Sequence, residues 1–337
     1  MTPMKPKWRS LLAALLLSAA AVPAAEAREM RVSSFEPAQG FYSVVIQEWI
    51  DQINPKLSEG NAFKLYPGSI LGAPPAQAEL VKKGVADVAL IVPSYTPGLF
   101  PLTGVVEVPG MSETSANGTA ILSALTEDGA LDAEYADYKV IALFATSGYR
   151  LLMADKAATS PADVAGLKIR TPSPYGSKLL EMMGAAGVSI PAPQVYENLE
   201  RHVVSGAAWV MDAYRTFRLN EVAPNVTSLR FTASPLAIVM NRKTYEALPE
   251  ADRAVIDAFA GRVASEWVST KIEAKDAENE AFFRAEGKVT FVDLTPEQQA
   301  AWDAALADAP AAWVAMQPDQ AAAQAALDRA AAIAKGQ

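Results

Sequence analysis

Arg170 closes the run Leu167-Lys168-Ile169-Arg170, which predicts a strand, and is followed at once by Thr171-Pro172-Ser173-Pro174. Ser173 is placed to cap a helix, with Pro174 at its first position. Ligands of open α/β sheets bind beyond the carboxyl ends of the strands, and an arginine there can grip a carboxylate through two parallel hydrogen bonds. Arg150, on the predicted strand after Gly148, offers a second positive group. For both arginines the plainer alternative, pairing with an acid of the fold, stays open.

Little other chemistry is on offer. The chain has 337 residues, no cysteine and one histidine, His202. This excludes a disulfide framework, a cysteine nucleophile, an iron–sulfur cluster and multi-histidine metal sites. Phosphate-cradling glycine loops, nucleophile elbows and H-E-x-x-H are absent. An exported enzyme would have to use Asp212 with His202, and their places on predicted elements give no reason to expect contact. Neither metal nor cofactor is expected. The formal net charge is −9, with basic residues scattered among carboxylates, which argues against nucleic acid.

The elements that position Arg170 follow from period and punctuation. Lys5, Lys7 and Arg9, the apolar run Leu11 to Val22, and Ala25-Glu26-Ala27 read as a signal peptide over 1–27, cleaved after about Ala27. Its loss makes the mature chain more acidic and places it in the periplasm. Strands at Met30–Ser34, Ala62–Tyr66 and Val88–Val92 alternate with helices at Ser43–Asn54 and Pro75–Lys83, the β-α-β pattern of a parallel sheet. The pattern recurs from Val140: strands at 140–145, 149–153, 167–170, 188–190 and 207–211, with helices to Met183 and over 194–204. After a strand at 236–241, Ile256, Phe259, Val263 and Trp267 predict a long helix running almost unbroken to Glu286, long enough to bridge two lobes. Thr295-Pro296-Glu297-Gln298 is a capping box, and the alanine-rich tail from Pro318 is expected to be helical. The fold class is α/β, two lobes with a cleft between them. Lobe I takes 28–147 plus about 233–272, and lobe II takes 148–232 plus about 273–337.

Read in order, several segments resemble the solute-binding proteins of tripartite ATP-independent periplasmic (TRAP) transporters, the dicarboxylate-binding-protein-like family. They are Tyr66-Pro67-Gly68-Ser69-Ile70-Leu71-Gly72, Gly84–Leu90, Tyr95–Leu102, Ser160–Pro172, Val195–Gly206, and Asn241 with Leu248-Pro249. The resemblance implies a two-lobed periplasmic binding protein fold with a long helix along both lobes. It implies that Arg170, in the K-I-R-x-P segment, makes the salt bridge to a ligand carboxylate and that Arg150 assists. Ser205 departs from the family's usual aspartate, and Trp209 from the asparagine of the sialic-acid-like branch. Gly206–Asp212 looks more like the branch reading G-A-A-F-P-W-E, with Trp209 for the phenylalanine, Met211 for the tryptophan and Asp212 for the glutamate. On that match Trp209 and Met211 offer apolar contact, and Asp212 accepts a hydrogen bond from a ligand hydroxyl or amine; packing against the next helix is the alternative for all three.

The resemblance thus implies a receptor that delivers a small organic acid to the membrane subunits of a TRAP permease. Phe35 and Tyr95 are expected to meet the ligand from lobe I. The receptor of an ATP-driven transporter or a sensor is the alternative. Nothing calls for a dimer, and a monomer is expected.

Overall fold

The computed structural model describes residues 28–335; the expected signal peptide lies outside them. The chain opens with β1 (Glu29–Ser33), α1 (Phe41–Ile53), β2 (Ala62–Tyr66), α2 (Gln77–Lys82), β3 (Val88–Ile91), α3 (Ser115–Glu127) and β4 (Tyr138–Ala145). It continues with β5 (Arg150–Met153), β6 (Lys168–Thr171), α4 (Pro174–Met182), β7 (Ala186–Ser189), α5 (Val195–Glu200), β8 (Gly206–Trp209), α6 (Met211–Thr216) and β9 (Asn225–Thr227). The last third holds β10 (Pro235–Asn241), α7 (Arg242–Glu246), α8 (Glu250–Asp257), α9 (Arg262–Glu286), β11 (Thr290–Val292), α10 (Pro296–Ala305), α11 (Ala309–Ala315) and α12 (Gln320–Ala334).

These strands form two sheets, ordered β2-β1-β3-β10-β4 and β11-β9-β5-β8-β6-β7. In the first, β1 runs parallel to β2 and β3, while β10 returns antiparallel between β3 and β4. In the second, β6 runs parallel to both β7 and β8. β3, Val-Ala-Leu-Ile, a central strand flanked by β1 and β10 with α2 packed on it, is buried at every position. The chain leaves the first sheet after Ala145 and returns to it at Pro235.

Helix α9 joins the lobes, but with a different face from the one its apolar residues suggest. Val263 is 56% exposed, and the buried face carries Ala264, Ser265, Val268, Ser269, Ile272, Asp276, Asn279 and Phe283. Its first half bonds to the first lobe: Ser265 Oγ accepts from Leu143 N at 2.9 Å and Ser269 Oγ meets Ser115 Oγ at 2.9 Å. Its second half bonds to the second: Asp276 Oδ1 accepts from Asp212 N at 3.1 Å, and Asn279 Oδ1 from Arg215 Nη1 at 2.9 Å. The helix also starts later than expected. Gly261, at φ 65° and ψ −137°, adopts a backbone closed to other residues and separates α8 from α9.

Other elements differ from expectation for local reasons. α5 stops at Glu200, and His202, at φ 55°, turns the chain left-handed just after it. The strand expected through Met211 ends at Trp209, and Met211 opens α6. α3, with its weak apolar pattern, has no counterpart in the sequence reading; Thr114 caps it by accepting from Asn117 N at 3.1 Å. The C-terminal segment divides. α12 buries Ala323, Ala326, Leu327 and Ala330 and packs on α3, with Arg329 paired to Asp128 at 2.8 Å, so the tail assigned to lobe II returns to the first lobe. The Thr295–Gln298 capping box forms as read.

Glu107 ties the lobes together. Its Oε1 accepts from Ser94 Oγ of the first lobe at 2.5 Å, and its Oε2 accepts from Ser173 Oγ, the cap of α4 in the second. Burial raises its pKa to about 7 against the opposing pull of Ser173 and Ser94. Between the ordinary carboxyl value and about 7 the folded state then holds a proton that the unfolded state has lost. The stability from this group is complete below about pH 4.5 and falls as pH rises through 7. Glu107→Gln keeps a polar contact with the serines and removes the titration. Thermal unfolding between pH 5 and 8 should show its stability falling less steeply than the parent's, by up to about 1.4 kcal/mol per pH unit; parallel curves would show that Glu107 does not carry the slope. A second prediction concerns packing. A Cβ on Gly187 of β7 would stand 2.3 Å from Ser177 Cα in α4, a backbone atom that cannot swing away. Gly187→Ala should lower stability by about 1–3 kcal/mol in denaturant titration; an unchanged midpoint would show that α4 can shift off the sheet freely.

Candidate functional site

The carboxyl ends of β1, β3, β6 and β8 converge between the lobes. Their loops enclose a cavity of about 30 Å³ lined by Phe35, Glu36, Tyr42, Tyr95, Tyr149, Arg170, Trp209, Asp212 and Phe217, among others. Most of these residues follow directly from strand ends. Phe35 and Glu36 come just after β1, Tyr95 in the turn after β3, and Trp209 at the last position of β8.

Arg170 is 1% exposed and is held from four sides. Its Nε donates to Ile190 O at 2.8 Å, and its Nη1 to Ala208 O at 3.5 Å. Its Nη2 reaches Tyr95 Oη, across the cleft, at 3.4 Å. The guanidinium carbon lies 4.1 Å from the centroid of the Trp209 ring, which is itself stacked on Phe217 at 5.2 Å. No carboxylate among the described residues lies within 4.0 Å of this guanidinium. Burial lowers its pKa, partly offset by Tyr95 and Tyr149, yet a group that starts so high stays charged at neutral pH. The result is a buried cation with spare donors facing a cavity.

Tyr95 Oη also accepts from Ala192 N at 2.9 Å, so one phenol from the first lobe touches two segments of the second. Phe35 packs edge-on against it at 6.4 Å. Tyr149 Oη donates to Ser234 Oγ at 2.6 Å, which fixes its ring beside the cavity.

Two of the residues anticipated for the site lie elsewhere. Arg150 pairs in register with Trp209 across β5 and β8, which puts it on the same sheet face as Arg170. Its guanidinium nevertheless turns to α9: Nη2 meets Glu280 at 2.5 Å, and Nη1 lies 3.6 Å from Asp276, an ion-pair distance too long for a hydrogen bond. Burial raises the Glu280 pKa, but Arg150 and Arg284 outweigh it and the net shift is downward. Arg150 does not line the cavity; two acids one helical turn apart have taken it. Met211, fully buried, does not line it either, because the first turn of α6 directs it into the core. His202 is exposed and Asp212 is buried at the cavity, so the pair an enzyme would need is not assembled.

Asp212 is 1% exposed, and neither of its carboxylate oxygens has a partner in hydrogen-bond geometry. Burial, then the neighbouring Asp276 and Glu36, push its pKa well up; the N–H dipoles of Ala213 and of Asp212 itself oppose this only in part. Of the residues named at the cavity, Glu36, Tyr42, Tyr149 and Phe217 were not anticipated from the sequence. Glu36 and Tyr42 were within reach of the rule that located Arg170, since Glu36 adjoins Phe35 at a strand end and Tyr42 lies in the first turn of the next helix.

Solved structures with this architecture include a TRAP solute binding protein from Rhodoferax ferrireducens in complex with copurified benzoate. It is 25% identical to this chain, with a TM-score of 0.86, covering 92% of this chain and 98% of that one. A marine metagenome TRAP solute binding protein specific for aromatic acid ligands is also 25% identical, at TM-score 0.86 over 91% of this chain and 98% of that one. Among curated relatives, a solute-binding protein of Albidiferax ferrireducens is 26% identical over 227 residues, 63% of this chain and 64% of its own length. The 2,3-diketo-L-gulonate-binding periplasmic protein of Escherichia coli is 27% identical over 200 residues, 58% of this chain and 61% of its own length. The chain therefore matches less than two thirds of the length of these two relatives. No helix among the described residues is long and apolar enough to cross a membrane. Residues 41–315 match the model of the bacterial extracellular solute-binding proteins, family 7, and the chain belongs to that family.

Proposed function

We propose that this protein is the periplasmic receptor of a TRAP transporter, which closes on a small organic acid and presents it to the transporter's membrane subunits without chemical change. Residues 1–27 serve as its export signal, and it acts as a monomer. The observation that carries the reading is Arg170: a buried cation, paired with no acid among the described residues, aimed into a cavity between two lobes. Phe35, Tyr95 and Trp209 form the walls against which the rest of the ligand packs. The family membership and the organic acids named for the two solved relatives support the same reading.

A cavity of about 30 Å³ has room for about one or two waters. A ligand must therefore enter with the lobes apart and be enclosed when they meet. Its carboxylate takes the donors of Arg170 that are bound only weakly, at 3.4 and 3.5 Å, and stabilises the closed form by binding it better than the open one.

Calorimetric titration of residues 28–337 with a panel of benzoate, mandelate, uronates, C4-dicarboxylates and amino acids tests this. At least one family of related acids should bind. Arg170→Lys should weaken that binding by at least about tenfold, because a point charge cannot reproduce the planar fork. Arg170→Ala should weaken it by up to about a hundredfold, the loss expected for hydrogen bonds between charged groups. Unchanged affinity in both variants would remove Arg170 from the site, and no binding across the panel would overturn the receptor.

A further inference from the structure

The cavity holds one cation and two acids, and the acids have no partner of opposite charge. Asp212 is buried with both oxygens unpartnered, and Glu36, 2% exposed, accepts from Tyr42 N at 2.7 Å but pairs with no Lys or Arg among the described residues. The Tyr42 hydroxyl is likewise buried without a partner. The one nearby cation, Arg150, is taken by Glu280 and Asp276, and Asp276 in turn accepts from Ser147 Oγ and Asp212 N. Arg170 stands apart from both acids, bound to carbonyls, Tyr95 and Trp209.

We infer that the ligand carries a protonated amine as well as a carboxylate, the carboxylate on Arg170 and the ammonium against Asp212 and Glu36, so that the receptor selects zwitterionic amino acids over plain carboxylates. The inference rests on the reading of Arg170 as the carboxylate clamp.

The first-turn N–H groups of α6 favour a carboxylate at position 212 only in part, and burial, Asp276 and Glu36 outweigh them. A buried, unbonded carboxyl costs stability, and a small apolar side chain would avoid the cost. The cost is offset when a group with donors and positive charge is seated beside it. A ligand hydroxyl supplies one donor and no charge, which leaves two buried acids uncompensated. An ammonium supplies up to three donors, enough for Asp212, Glu36 and the Tyr42 oxygen, and the charge that both acids lack. Burial pushes the pKa of Asp212 well up and that of Glu36 to about 7 in the free protein, and a cation seated beside them lowers both, so binding releases protons.

The test is isothermal titration of residues 28–337 with matched sets that differ at one substituent: propionate, lactate and alanine; phenylacetate, mandelate and phenylglycine; butyrate and γ-aminobutyrate; cyclopentanecarboxylate and proline. In at least one set the amino acid should bind at least about tenfold more tightly than its plain counterpart, a difference of about 1.4 kcal/mol. Its heat should depend on the ionisation enthalpy of the buffer, reporting proton release. Asp212→Asn should abolish both the preference and the proton release, and should raise the melting temperature of the free protein by removing the unpaired carboxyl. Glu36→Gln carries the same test should the first variant fail to fold. If plain or hydroxy acids bind as tightly as their amino counterparts in every set, the ammonium subsite is wrong and the carboxylate receptor stands. If no acid of any kind binds, the receptor reading falls and takes the inference with it.

Discussion

Burying a guanidinium that has no carboxylate to meet it costs several kcal/mol, and the surroundings of Arg170 are the means by which the fold limits that cost. The carbonyls of Ile190 and Ala208 take two of its donors, the Trp209 ring covers one face, and the Tyr95 hydroxyl comes from the opposite lobe. None of these carries a full negative charge. The closed protein therefore keeps an electrostatic demand at its centre that its own residues do not meet. Because part of the partial answer, Tyr95, lies across the cleft, the same demand favours closure. Glu107, bonded to a serine of each lobe, adds a second contact that reports on closure and titrates near neutrality.

Closure of this kind needs a connection that lets two sheets move without losing register, and α9 supplies it. Its buried stripe is polar or small for much of its length: Ser265 and Ser269 bond to β4 and α3 of the first lobe, and Asp276 and Asn279 both bond to α6 of the second. Hydrogen bonds at discrete points tie the helix to both lobes, each with its own sheet, while Val268, Ile272 and Phe283 of the same stripe join the common apolar core.

The sequence made most of the elements legible where period and punctuation agreed. β2 is found residue for residue, the capping box before α10 forms, and β6 ends within one residue of Arg170, so the main candidate stood where a strand-end rule put it. What escaped notice had a physical cause in each case. α3 contains Gly118, whose missing Cβ lets it approach Ala145 and Ser112, and its apolar residues do not make a continuous face. The long helix misled because Val263 is conspicuous and yet exposed, and Trp267 only partly buried, whereas its serines, Asp276 and Asn279 look solvent-bound until a partner is seen. Arg150 could not be separated from Arg170 by type or spacing. Only the register of β5 against β8 and the two acids of α9 distinguish them.

That separation of the two arginines decides the electrostatics of the site. Were both guanidinium groups in the cavity, the acids at 36 and 212 would serve as their counter-ions and the site would be neutral before any ligand entered. With Arg150 held on α9 by Glu280 and Asp276, one cation remains at the cavity among the described residues, and Asp212 sits beside Asp276, whose Oδ1 accepts from its N–H. A carboxylate ligand on Arg170 would add negative charge to a cavity that already holds two buried acids. Those acids can stay protonated, which costs affinity as pH rises, or meet a positive group on the same ligand. The second arrangement balances charge within the enclosed volume, and in a low-dielectric site balance is what separates tight binding from none.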